Sequence, residues 1–124
     1  MIRESDPFGV HDLQELLRPR GNVRFEPHSG AVWLGPTWMG EVPVGSKEFH
    51  LLDRLAKELD HYVPYADLKQ HVLRQAGSSD QTDEATFCQR LKSRIKKQWV
   101  ADIDALVVSS NKGDGYRLRW HAGP

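Results

Sequence analysis

Apolar residues change their spacing several times along this chain, and each change marks an element. From Val23 the pattern is short and strand-like: VRFE, a PHSG turn at Pro27 to Gly30, AVWL, a Gly35-Pro36 turn, then TWMGEVPV, which reads as two or three antiparallel strands ending by Val44. The period then becomes helical. Phe49, Leu52, Leu55, Ala56 and Leu59 share one face behind an N-cap at Gly45 or Ser46, predicting a first helix to about Leu59. A second helix is expected after Pro64, with Leu68, Val72 and Leu73 inward and an end near Gln75, followed by a polar loop at 76–82. In the third, from about Asp83, the residues Ala85, Cys88, Leu91, Ile95 and Trp99 step by three or four and form one stripe.

The last pattern alternates. Tyr116, Leu118 and Trp120 fall on one face of a strand and Arg117 and Arg119 on the other, which predicts a half-buried edge with a basic outer side. Its mate is Leu106 to Ser110. The tip between them, KGDG, carries Lys112, with Gly113 and Gly115 expected to supply backbone angles that other residues adopt at a cost. At the other end, Pro7, Gly9, Pro19 and Gly21 mark residues 1–20 as an arm or linker with a short helix over Val10 to Leu17.

Strands, three helices, then a hairpin describe an α+β domain, and 124 residues suit one such domain with a real core. One cysteine excludes a disulfide framework and a cysteine zinc site. No apolar run approaches the roughly 20 residues of a membrane helix, and the first ten residues lack the layout of a secretory signal, so no membrane is expected and a cytoplasmic location is. The zero net charge hides an asymmetry. Residues 1–84 hold nine Lys/Arg against fourteen Asp/Glu; residues 85–124 hold eight against three. The basic charge sits on the third helix and the hairpin.

That placement carries the candidate chemistry. The faces of the third helix away from its stripe hold Thr86, Gln89, Arg90, Lys92, Ser93, Arg94, Lys96 and Lys97. An α-helix fits the major groove of B-DNA, where arginine takes guanine through two hydrogen bonds and a threonine methyl meets thymine. The same composition also describes an ordinary solvated face. The hairpin shifts the balance: a basic helix followed by a ribbon with a lysine tip can address a major groove and the neighbouring minor groove together.

The other reactive side chains point to nothing comparable. The six histidines are scattered without ligand spacing, and Cys88 on the apolar stripe reads as a buried, inert thiol. Asp53 with Lys57 reads as helix pairing. Trp33, Trp38, Trp99 and Trp120 are assigned to core packing. No catalytic set, metal site or cofactor motif is present, so no enzyme activity is expected.

Three strings in this order resemble the winged-helix DNA-binding domain of OmpR/PhoB-type response regulators. GSKEFHLLDRLA at 45–56 is similar to that family's entry into its first helix, FCQRLKSRI at 87–95 to its recognition helix, and KGDGYRL at 112–118 to its wing. The resemblance spans about 23–120. It implies a winged helix-turn-helix at 21–121, with an N-terminal antiparallel sheet, three helices and a C-terminal hairpin wing, binding double-stranded DNA in transcription regulation. By position, Arg90 replaces a base-reading arginine, Thr86 a valine against a thymine methyl, Lys92 a backbone-contacting arginine and Lys112 the minor-groove arginine of the wing. With Gln89, Ser93, Arg94, Lys97 and Arg117 these make up the expected DNA surface. Thr82, Asp83 and Phe87 depart from the family's usual Arg, Thr and His; an acid at 83 repels phosphate, and a phenylalanine donates no hydrogen bond.

Only about twenty residues precede the sheet, where response regulators carry a receiver domain, so the chain reads as an excised domain or a stand-alone protein. Dimerising or binding DNA in tandem through residues 1–20 is compatible with it. The acidic first two-thirds keeps a second class open, a protein-interaction module with a protein partner on the same fold.

Overall fold

The computed structural model describes residues 21–99 and 102–122; the arm expected at 1–20 and its short helix lie outside the described residues. The first sheet contains β1 (Gly21–Glu26), β2 (Ala31–Leu34) and β3 (Thr37–Glu41), all antiparallel. Val32 faces Gly40 while Trp33 faces Trp38, so Met39 is an extra residue in β3. This bulge turns both Met39 and Gly40 into the core. The sheet has a fourth member absent from the sequence reading: β7 (His121–Ala122) returns to pair with β1, giving the order β3-β2-β1-β7.

The three helices start close to their predicted caps. In α1 (Lys47–Lys57) the Ser46 hydroxyl accepts from the Phe49 N–H at 3.1 Å. The helix stops two residues before Leu59 because Glu58 leaves helical angles and Asp60 turns the chain at φ 68°. Leu59 still packs against the core. Helix α2 (Tyr65–Ala76) ends on Gly77 in the left-handed conformation, which lets the glycine N–H reach the carbonyls of Leu73 and Arg74. In α3 (Glu84–Gln98) the cap is Asp83, whose carboxylate accepts from the Thr86 N–H at 2.9 Å.

The stripe of α3 behaves as its spacing predicts. Cys88, Leu91 and Ile95 are buried, and Trp99, just past the helix end, closes over Gly40, where a Cβ would come within 2.5 Å of its ring. Phe87 is buried beside them and widens the stripe. These side chains meet Leu51, Leu52 and Leu55 of α1 and Leu68 and Val72 of α2 in one continuous core.

The hairpin differs from expectation in three respects. First, β6 (Gly115–Leu118) is a central strand, with β5 (Val107–Ser109) on one side and β4 (Val63–Pro64) on the other. The strand before α2 thus clamps the end of β6 nearest the hairpin tip, and the Tyr65 N–H donates to the Asp114 carbonyl at 2.8 Å. Second, only Gly113 takes a left-handed angle, φ 71°; Gly115 is needed for space, because a Cβ there would lie 2.4 Å from the Val63 carbonyl oxygen. Third, Tyr116 and Leu118 are buried, but pairing with β5 ends at Leu118, and Trp120 is 53 % exposed. Core packing therefore holds for Trp99, while Trp38 is 41 % exposed and Trp33 is half-buried beneath the Arg24 guanidinium.

Candidate nucleic-acid interface

One face of α3 stays outside the core. Thr86, Gln89, Arg90, Ser93, Arg94 and Lys97 follow helical spacing and together line an open depression of about 330 Å³. Three cations lie on this face and no acid does. Among the described residues Arg94 alone of the three has an acidic partner, its guanidinium 3.5 Å from the buried Glu48 of α1. Planar guanidinium and amide groups beside small hydroxyls are the set that can address base edges and phosphates in a groove. Lys112 stands exposed at the hairpin tip. The tip is held by Ser110, whose hydroxyl donates to the Asp114 carboxylate at 2.6 Å and accepts from the Asp114 N–H at 3.1 Å.

The remaining predicted site residues, Lys92 and Arg117, are drawn elsewhere. Lys92 turns toward the hairpin: its ammonium donates to the Val107 carbonyl at 2.8 Å, lies 3.0 Å from the Asp104 carboxylate and sits 5.1 Å above the Tyr116 ring. Only 16 % of its side chain is exposed. Lys96 donates to the same carboxylate at 3.0 Å. Hydrogen bonds from Lys92 and then Lys96 hold the Asp104 carboxyl below its ordinary value. Arg117 lies over the Tyr62 ring and 3.5 Å from Asp60, and Arg119 donates to the Ala105 carbonyl. The basic outer side of β6 is thus engaged within the fold.

Two departures from the resembled family also have structural reasons. Asp83 is the α3 cap, and Phe87 is a core residue with the Lys69 ammonium 5.9 Å over its ring. Lys69 also donates to the Thr82 carbonyl, tying α2 to the loop that leads into α3. A smaller cavity of about 50 Å³ lies between α1, this loop and α3, lined by Lys47, Asp80, Thr82, Phe87, Arg90, Leu91 and Arg94. Lys47 was not among the residues expected from sequence. It lies more than forty positions from Arg90 and joins it only through helix packing.

Burial pushes the Cys88 thiol up to about 12, and its sulfur donates to the Tyr65 carbonyl at 3.7 Å. His28, His61 and His121 are exposed. His50 and His71 face each other across α1 and α2 with ring centroids 6.4 Å apart, and desolvation, followed by Lys57, lowers His71 below its ordinary value. Asp53 and Lys57 pair at 3.2 Å along α1. Among the described residues no three His, Cys, Asp or Glu side chains gather as metal ligands, and no helix is long and apolar enough to cross a membrane.

No family model matches this sequence. No curated protein matches it either. Among solved structures it is similar to the DNA-binding domain of response regulator AdeR in complex with an intercistronic region, with a TM-score of 0.53 and 14 % sequence identity. The match covers 79 % of this chain and 94 % of that one. At this identity the likeness establishes the fold: an OmpR/PhoB-type winged helix, with its N-terminal antiparallel sheet, three helices and C-terminal hairpin.

Proposed function

We propose that residues 21–121 form a double-stranded-DNA-binding domain of a cytoplasmic transcriptional regulator, acting without catalysis or cofactor. One observation carries this reading: six polar and basic side chains occupy the exposed face of α3, the helix that enters the major groove in winged helix-turn-helix proteins. The bound state of the structurally similar AdeR domain supports it. In this reading Arg90 and Thr86 contact bases, Gln89 and Ser93 supply adaptable hydrogen bonds, and Arg94 and Lys97 hold phosphates. Lys112 approaches the minor groove. Lys92 positions the wing against the helix, Arg117 ties it to the segment at Asp60 and Tyr62, and two copies bind as a homodimer or in tandem to double the length of DNA read.

The test is selection of sites from a randomised duplex pool, followed by fluorescence anisotropy across salt concentrations. Affinity should fall steeply with salt, as phosphate contacts require. Absence of duplex binding even at low salt would overturn the reading.

A second reading, a protein-interaction module, has its own observation: Trp38, Tyr62 and Trp120 are all exposed, and such aromatics anchor protein interfaces. Stable co-purification of a protein partner with no DNA affinity would favour it.

A further inference from the structure

We propose that the small cavity between α1, the loop before α3 and α3 itself seats one backbone phosphate of the bound duplex, with Lys47 as its principal cation. The proposal rests on the DNA-binding reading and extends it to a different helix. Its first support is geometric. Arg90 and Arg94 line both this cavity and the open depression on the α3 face, so the two adjoin along one flank of the recognition helix. A duplex whose groove holds α3 presents its sugar-phosphate backbone along such a flank.

Size is the second support. A volume of about 50 Å³ has room for several waters, each needing about 10–15 Å³ by the same measure. It therefore suits the oxygens of one phosphate, entering in place of water.

Charge is the third. Lys47, Arg90 and Arg94 converge from two helices, and among the described residues neither Lys47 nor Arg90 has an ion-pair partner. Two acids oppose them. Glu48 is 3.5 Å from Arg94 and holds that guanidinium against the cavity wall. Asp80 accepts from the Thr82 N–H at 2.7 Å and organises the loop. Three cations against two acids leave the seat positive, and Asp80 moderates its grip. The seat also places a cation near a loop where Thr82, Asp83 and Phe87 lack the phosphate donors usual in the resembled family.

The experiment measures affinity against salt for the native chain, Lys47→Ala, Lys47→Arg and Asp80→Asn on a duplex recovered by selection. Loss of one phosphate contact flattens the slope of log affinity against log salt by about 0.9. Lys47→Ala should show that flattening and bind roughly tenfold more weakly on every sequence, with base preference unchanged, since each phosphate contact acts without reading sequence. Lys47→Arg should restore the slope. Asp80→Asn, which keeps an oxygen for the Thr82 N–H, should bind a few-fold more tightly. Replacing single phosphates by uncharged methylphosphonates should then reveal one position that weakens the native chain but not Lys47→Ala. A native slope in Lys47→Ala, with unchanged melting temperature, would overturn the phosphate seat while leaving DNA binding intact; a native chain that binds no duplex would overturn both.

Discussion

Two basic regions lie within thirty residues of each other and have opposite fates. On the outer face of α3, Arg90, Arg94 and Lys97 project from the core, and among the described residues only Arg94 of the three has an acidic partner. Along the seam between α3 and the hairpin, Lys92 and Lys96 are bound to Asp104, and Lys92 also to a carbonyl and the Tyr116 ring, while Arg117 of β6 is bound to Asp60 and the Tyr62 ring. Counting charges treats these regions as one patch. The structure separates a surface that can meet a ligand from a joint that sets the angle between helix and wing. What distinguishes them is the availability of each charge.

Variants should therefore divide into those that lower stability and those that lower binding. The largest effect belongs to the seam: Tyr116→Ala removes a buried ring packed edge-on to Tyr65, with centroids 5.0 Å apart, and should cost about 3–5 kcal/mol in denaturant unfolding. Cys88 reports the same loss, because a thiol pushed up to about 12 resists alkylation at neutral pH until the core opens.

Lys92→Ala comes next. It removes hydrogen bonds from a charged group that is mostly buried, for about 1.5–3 kcal/mol of stability, and should leave the salt slope of DNA binding unchanged. A flattened slope with native stability would move Lys92 from the joint to the binding surface.

Arg90→Ala tests the opposite side. Stability should stay within about 0.5 kcal/mol of native, while affinity for a selected site falls by about 1–3 kcal/mol and preference relaxes at one base pair. Lys112→Ala should weaken binding more evenly across sequences. Equal, sequence-independent losses from both would erase the division between helix and wing.

The smallest effect is in pH. Asp104 has a folded value below its ordinary one, so its contribution is present above the normal carboxylate range and is lost as pH falls through the lowered folded value. The side chain is about half exposed, so the effect should stay below about 1 kcal/mol. Thermal melting of native and Asp104→Asn should converge in acid; a gap that persists there would show that Asp104 acts through shape instead.

The sequence by itself determined the elements, because periodicity and caps are local. Apolar steps of three and four predicted the α3 stripe from Ala85 to Trp99, Ser46 and Asp83 were legible as helix starts, and the glycine-bearing tip announced a hairpin. The exposed α3 face was legible in the same way, as the complement of the stripe. Only the tertiary structure decided which neighbours each element meets. β4 is two residues long and β7 is two residues long, too short to carry an alternation, and each exists because a distant strand supplies its hydrogen bonds. Trp120 continued the alternation in sequence yet lies outside, since pairing with β5 stops at Leu118. Lys92 and Lys47 follow the same rule: the first meets the hairpin, and the second lines one cavity with Arg90, a residue far from it in the chain. A side chain's type is written in the sequence, but its partner is set by packing, and the partner decides whether a charge holds the fold or is available to a ligand.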